Sequence, residues 1–255
     1  MLLTIDIGNT DTTLGVFHEE KLMATWHMAT NIDRMVDEYA ALFLSLLPQK
    51  GLSTSDISEV VLCSVVPPLT ANFRELSQRY FHVLPLVVGA GVKTGVRIRM
   101  DNPKEVGADR IVDAAAAHHL YGGPTIIVDM GTATTFDTIS KEGDYLGGAI
   151  APGIATASES LFRRAAMLPR VELTHPERAI GTNTISAMQS GIVFGYVGMV
   201  EGIVSRIQKE MTEEAKVIAT GGYAELIAKE TDVISVVNPN LTLIGLRLIH
   251  LINHT

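Results

Sequence analysis

Two short segments carry the residue types that phosphate chemistry requires. Asp6-Ile7-Gly8-Asn9-Thr10-Asp11-Thr12-Thr13 follows the apolar run that starts at Leu2, and Asp129-Met130-Gly131-Thr132-Ala133-Thr134-Thr135 follows Thr125–Val128. In each, an aspartate stands at the exit of a β-type run. A glycine two residues later lets the backbone turn tightly and come close to a ligand. The Asn and Thr side chains offer donors beside backbone N–H groups, a cradle for phosphate oxygens. Asp6 would be repelled by a phosphate unless a divalent cation lay between them. The same residues suit plain polar hairpins, since Gly-Asn is a common turn pair and Thr favours strands. The two segments are offset by 123 residues, about half of the 255-residue chain. That echo predicts a duplicated strand–turn–strand unit and two loops that clamp a polyphosphate from two sides.

Other segments invite chemistry less directly. Gly107-Ala108-Asp109-Arg110 opens an Ala-rich stretch, and Asp109 is the sharpest candidate for a catalytic carboxylate. An N-cap would account for Asp109 equally well. Arg110 in a first helical turn opposes the helix dipole, which a carboxylate substrate would offset. Thr220-Gly221-Gly222 follows a short apolar run and suits either a flat group such as adenosine or a tight strand–helix connection. Gly147–Gly153 reads as a shaped loop. In Gly181-Thr182-Asn183-Thr184 either Thr suits an N-cap or a ligand contact. Gly191, Gly195, Gly198 and Gly202 recur on one apolar stretch and are expected to allow close helix packing. No Walker-type loop, G-x-G-x-x-G, H-E-x-x-H or G-x-S-x-G occurs, and the scattered histidines argue against a histidine metal site.

The elements that must position these residues alternate. Periodicity predicts helices over Val36–Leu47, Leu69–Tyr80, Asp109–Leu120, Thr184–Met211, Gly222–Lys229 and Asn240–Ile252. Apolar runs at Thr13–Phe17, Glu59–Val66, Val83–Val88, Phe136–Ile139 and Lys216–Ala219 predict strands. The class is α/β with mixed sheets. The Gly122-Gly123-Pro124 turn predicts two halves, residues 1–121 and 122–255. The chain is 47% hydrophobic and 19% charged, with a net charge of −8. It can bury a sizeable core, and it is a poor nucleic-acid binder by charge. A single cysteine, Cys63, excludes an internal disulfide framework. The start lacks a basic n-region, and no run of 18 apolar residues occurs, so the expectation is a cytoplasmic protein without a membrane segment.

In order and spacing, D-I-G-N-T, S-V-V-P (Ser64–Pro67), D-N-P-x-E-V-G-A-D-R (Asp101–Arg110), D-M-G-T-A-T-T, G-G-A-I-A-P-G and T-G-G resemble the type III pantothenate kinases. The resemblance implies the acetate and sugar kinase/Hsp70/actin-like superfamily fold, with two duplicated ribonuclease-H-like halves. It implies transfer of phosphate from ATP, with Mg²⁺, to pantothenate, the first step of coenzyme A synthesis. By the same resemblance, Asp6 to Thr13 and Thr132 bind ATP, and Asp109 is the general base. Asp129 binds a monovalent cation, K⁺ or ammonium. Gly107, Ala108, Asp109, Arg110 and Thr184 line the pantothenate site of a homodimer, near the subunit interface. Met100 stands where the family often has a pocket-lining Tyr; it fills apolar space without the hydroxyl. The alternatives are a non-catalytic relative acting as a transcription accessory factor, a kinase of other specificity on the same fold, and an actin-like filament protein.

Overall fold

The computed structural model describes residues 1–254. The elements in chain order are β1 (Leu2–Ile7), β2 (Asp11–His18), β3 (Lys21–Ala29), α1 (Val36–Leu46), β4 (Glu59–Ser64), α2 (Pro67–Leu76), β5 (Leu86–Val87), β6 (Arg97–Ile98), α3 (Ala108–Tyr121), β7 (Thr125–Met130), β8 (Ala133–Ile139), β9 (Asp144–Pro152), α4 (Ile154–Arg164), α5 (Thr184–Glu210), β10 (Lys216–Thr220), α6 (Ala224–Ala228), β11 (Val236–Val237) and α7 (Leu241–His254). They form two compact units. One comprises Met1–Val96, Asn102–Ala116 and the chain from Leu241 onward; the other comprises Arg97–Asp101 and Ala117–Asn240. These units do not coincide with contiguous halves split at residue 121, because α7 belongs with the first.

Each unit is built on one sheet, and the two sheets repeat a single plan. The first runs β3-β2-β1-β4-β5, and the second runs β11-β10-β7-β8-β9-β6. In both, the first strand pairs antiparallel with the next in sequence and parallel with a strand reached by crossover: β1 with β2 and β4, β7 with β8 and β10. β1 and β7 also share one burial pattern along their six residues, with the aspartate the single half-buried position. The echo read from the sequence is therefore a repeat of topology, with a hairpin turn one residue shorter in the second copy: Asp6 pairs with Thr13, and Asp129 with Thr135.

In the first unit the two faces of the sheet are covered by different helices. Leu3, Ile5 and Ile7 point to one face and pack with Tyr39, Phe43, Leu69 and Phe73 of α1 and α2. The Tyr39 and Phe73 rings meet at a tilt of 51°, with centroids 4.8 Å apart. Complete burial of each such side chain contributes about 1.5–3 kcal/mol. Leu2, Val61 and Cys63 point to the other face, against Val112 of α3 and Leu243, Leu246 and Ile249 of α7. Strand alternation places Asp6 on this second face, beside Cys63 and facing α3. α7 lies so close to α3 that a Cβ on Gly245 would stand 2.2 Å from the Val112 carbonyl oxygen.

In the second unit Ile126, Val128 and Met130 pack against Val193, Tyr196, Val197 and Val200 of α5. By length and composition α5 could cross a membrane, but this buried stripe makes it the core helix of its unit. Three local expectations are corrected here. Gly147–Pro152 is not a loop: it lies in β9, where a Cβ on Gly148 would stand 1.6 Å from the Phe136 carbonyl oxygen of the paired β8. Glycine is there because the neighbouring backbone leaves no room. The N-cap of α5 is neither Thr182 nor Thr184 but Asn183, whose side chain accepts from Ser186 N at 2.9 Å. The glycines of α5 do not serve packing within the chain, since nothing lies within 4 Å of a Cβ built on Gly191, Gly195 or Gly198.

Candidate active site

The loop after β1 is both a hairpin turn and a shaped cradle. Gly8 N–H donates to the Asp11 carbonyl at 3.0 Å, which closes the turn from β1 into β2. Asn9, Thr10 and Asp11 are exposed, whereas Thr12 is buried. The Thr12 hydroxyl lies 2.8 Å from that of Thr30, which in turn donates to the Gly8 carbonyl at 2.8 Å. Ile7 is a core residue, so its contribution to the loop is backbone. The Thr13 hydroxyl pairs with His27 Nδ1 at 3.2 Å.

Asp6 is the end of a carboxylate cluster on the α3 face. The Cys63 thiol donates to Asp6 Oδ1 at 3.1 Å, because the parallel register of β1 and β4 pairs these two residues. Burial pushes the Asp6 carboxyl up to about 7; the thiol hydrogen bond opposes this and the Asp109 charge adds to it. Burial likewise pushes the Cys63 thiol well above its usual range, with Asp6, Asp109 and Asp113 all raising it further. The thiol therefore stays protonated and donates. α3 begins at Ala108, so Asp109 is not the residue before the helix, as an N-cap would be, but lies in its first turn. Its Oδ1 accepts from Arg110 N at 2.9 Å. That carboxyl folds back over Gly107, where a Cβ would stand 2.4 Å from it. Asp113, one turn along α3 on the same face, is 3% exposed. A cation at Asp6 would relieve the burial and charge penalties that favour its neutral form, so the donor set fits a divalent ion. Among the described residues no group of three or more His, Cys, Asp or Glu could by itself hold a metal ion. Such an ion would rest on Asp6 together with the phosphates of a nucleotide.

In the second unit Asp129 occupies the matching strand position. Gly221, with φ +90, passes so close that a Cβ would stand 2.7 Å from Asp129 Oδ1 and from Met130 N. Gly153 N–H and the Thr156 hydroxyl both donate to the Thr132 carbonyl, at 3.2 and 2.7 Å, and they fix the turn that exposes Thr132. Glycine is therefore required on both sides of this turn. Met100 lies beside Gly147, whose Cβ would be 3.8 Å from Met100 Cγ. Thr184 is the exposed first residue of α5.

The structure thus gathers Asp6, Gly8 and the loop to Thr13 with Gly107, Ala108, Asp109 and Arg110 in the first unit. Met100, Asp129, Thr132 and Thr184 belong to the second. Sequence reading missed Thr30, Cys63 and Asp113 in the first unit and Thr156 in the second. Only Asp113 had a signal within reach, its four-residue spacing from Asp109.

The model of the type III pantothenate kinase family matches residues 2–206. Proteins named type III pantothenate kinase from Dehalococcoides mccartyi strains CBDB1 and 195 are 56% identical over 252 residues. Those alignments cover 99% of this chain and 96% and 98% of the relatives. Among solved structures, a Campylobacter jejuni protein described as a Baf family transcriptional activator superposes with a TM-score of 0.62 at 18% identity, covering 99% of this chain and 98% of that one. A Sinorhizobium meliloti protein described as a 2-dehydro-3-deoxygalactonokinase gives 0.57 at 11% identity, over 98% and 96%. The ethanolamine utilization protein EutJ of Carboxydothermus hydrogenoformans gives 0.57 at 16%, over 97% and 89%. At these identities the structures speak to the fold alone, which this chain shares with all three. Taken with the paired aspartate loops and the near full-length identity, the chain belongs to the type III pantothenate kinase family.

Proposed function

We propose that this chain transfers the γ-phosphoryl group of ATP to the primary hydroxyl of pantothenate, giving 4′-phosphopantothenate and ADP, with Asp109 as the general base. The observation that carries this is the 56% identity, over 99% of the chain, to proteins of that name. Phosphoryl transfer is mostly positioning and charge neutralisation, and the residues divide accordingly. The loop from Asp6 to Thr13 holds the phosphates: Gly8, Asn9 and Thr10 through the exposed turn, Ile7 and Thr12 through backbone. Thr132 makes a further ATP contact, and the Gly221–Gly222 corner suits the adenosine. Mg²⁺ supplies neutralising charge on the phosphates, with Asp6 as the chain's share of its binding. Asp129, whose carboxylate lies against the backbone of Gly221, holds K⁺ or ammonium.

Gly107, Ala108, Arg110, Thr184 and Met100 receive pantothenate. Arg110 sits in the first turn of α3, where a bound carboxylate offsets its conflict with the helix dipole. Asp109 takes the hydroxyl proton as the O–H bond breaks, the new O–P bond forms and the bond to ADP breaks. The enzyme is a cytoplasmic homodimer that binds no nucleic acid. The uncovered glycine face of α5 supports the homodimer, and light scattering tests it.

The test of function is pantothenate-dependent ADP release with Mg·ATP, measured in K⁺ and in Na⁺. Turnover that falls on removing K⁺, and loses that dependence in Asp129→Asn, supports the reaction and the cation site. Turnover indifferent to the cation keeps the kinase and discards Asp129 as its site. No turnover from folded protein in either salt refutes the activity.

A further inference from the structure

Thr30, just beyond the end of β3, grips the loop after β1 from behind. Its hydroxyl donates to the Gly8 carbonyl at 2.8 Å, and its backbone N–H donates to the Thr10 carbonyl at 2.8 Å. It also lies 2.8 Å from the hydroxyl of Thr12, a residue with 0% exposure. A hydroxyl has one proton. That of Thr30 goes to a carbonyl, which can only accept, so the Thr12 hydroxyl is the donor within the pair. The hydrogen bonds therefore run in one direction, from Thr12 to Thr30 to Gly8.

This arrangement has a consequence for the turn. In a trans peptide the carbonyl of one residue and the N–H of the next point in opposite directions within one plane. A Gly8 carbonyl drawn toward Thr30 turns the Asn9 N–H the other way. The Thr10 carbonyl, held by the same residue, fixes the far side of the turn. Gly8 itself cannot fix the plane, because glycine is the residue with the widest backbone freedom. Thr30 supplies, from just past the end of β3, the restraint that Gly8 lacks.

We propose that Thr30 is a positioning residue for nucleotide binding: it orients the Gly8–Asn9 peptide toward the phosphates of ATP without touching them. This rests on the reading that the loop from Asp6 to Thr13 holds those phosphates. Thr30→Val keeps the shape and removes the hydroxyl; Thr30→Ser keeps the hydroxyl. Steady-state kinetics with each substrate varied separately tests the role. The expected result for Thr30→Val is a rise in KM for Mg·ATP of about 10- to 100-fold, the range for weakening one hydrogen bond to a charged group. KM for pantothenate should stay within about twofold, and Thr30→Ser should return KM for Mg·ATP to within about threefold of wild type.

An unchanged KM for Mg·ATP in Thr30→Val overturns the proposal, as does an equal rise in both KM values, which general loosening of the fold would produce. If Thr30→Val does not fold, Thr30→Ala removes the same hydroxyl with less bulk and carries the same expectation. Gly8→Ala, whose Cβ would stand 2.9 Å from the Asp11 carbonyl oxygen, separates the two levels of the argument. If it weakens Mg·ATP binding while the Thr30 variants do not, the loop binds phosphate without help from Thr30. If none of the variants changes Mg·ATP binding, the loop is not the phosphate site and both readings fall.

Discussion

Asp6 should make the ligand-free protein less stable as pH rises, and Asp6→Asn should abolish that effect. A carboxyl that titrates near 3.8 in an open chain titrates at about 7 in the fold, chiefly because it is buried. A group that holds its proton more tightly in the folded state contributes stability that is complete below the unfolded value and is lost as pH rises through the folded value. Each pH unit in that window removes about 1.4 kcal/mol. The loss is therefore about 2 kcal/mol at pH 5 and about 4 kcal/mol at pH 8. The Asn amide is neutral throughout, and its oxygen can still accept from Cys63. Urea unfolding of wild type and Asp6→Asn at pH 5, 6, 7 and 8, without nucleotide, measures the difference directly. The variant should gain about 2–3 kcal/mol on wild type across that range, while losing Mg·ATP binding. A stability gap that does not change with pH, or one that favours wild type more at pH 8, would refute the reasoning.

Further outcomes follow from the same contacts. Asp109→Asn should retain the fold and nucleotide binding by calorimetry but lose turnover by about 10²–10⁴-fold; near wild-type turnover would remove Asp109 as the base. Cys63, wholly buried and held protonated by burial and three carboxylates, should not react with a thiol-specific chromogenic disulfide in the native protein. It should react fully in urea, and rapid native labelling would contradict the packing of β4 against α3. Gly148→Ala should destabilise by about 3 kcal/mol or more, because its Cβ meets the Phe136 carbonyl rather than a movable side chain; a calorimetric melting temperature within about 2 °C of wild type would count against the β8–β9 pairing.

The chemistry-bearing turns were legible because their causes are local. A buried strand ending in Asp-x-Gly writes its whole logic into six or seven adjacent residues, and the duplicate at the same offset showed that the pattern was architectural. The long helices were legible for the same reason, as was the Ala-rich start of α3 at Gly107–Arg110. The strand β9 was hidden because glycine-rich sequence signals a loop unless one knows that a neighbouring carbonyl occupies the place of a Cβ. The α5 glycines misled in the opposite sense: their spacing suggests packing, yet their surroundings within the chain are open.

The residue sequence by itself determined the fold class, the repeat, the two aspartate loops and the resemblance that named the family. Tertiary structure alone decided what stands behind those loops. Asp6 meets Cys63 because two strands 57 residues apart pair in one parallel register, and strand alternation turns both toward α3. Thr30 reaches Gly8 from the segment just past β3, which carried no motif. α7 closes over the first sheet from the far end of the chain because its apolar face fits there, with Gly245 against Val112. Each of these contacts depends on which strand lies beside which and in what register, and no local pattern of residue types encodes that choice.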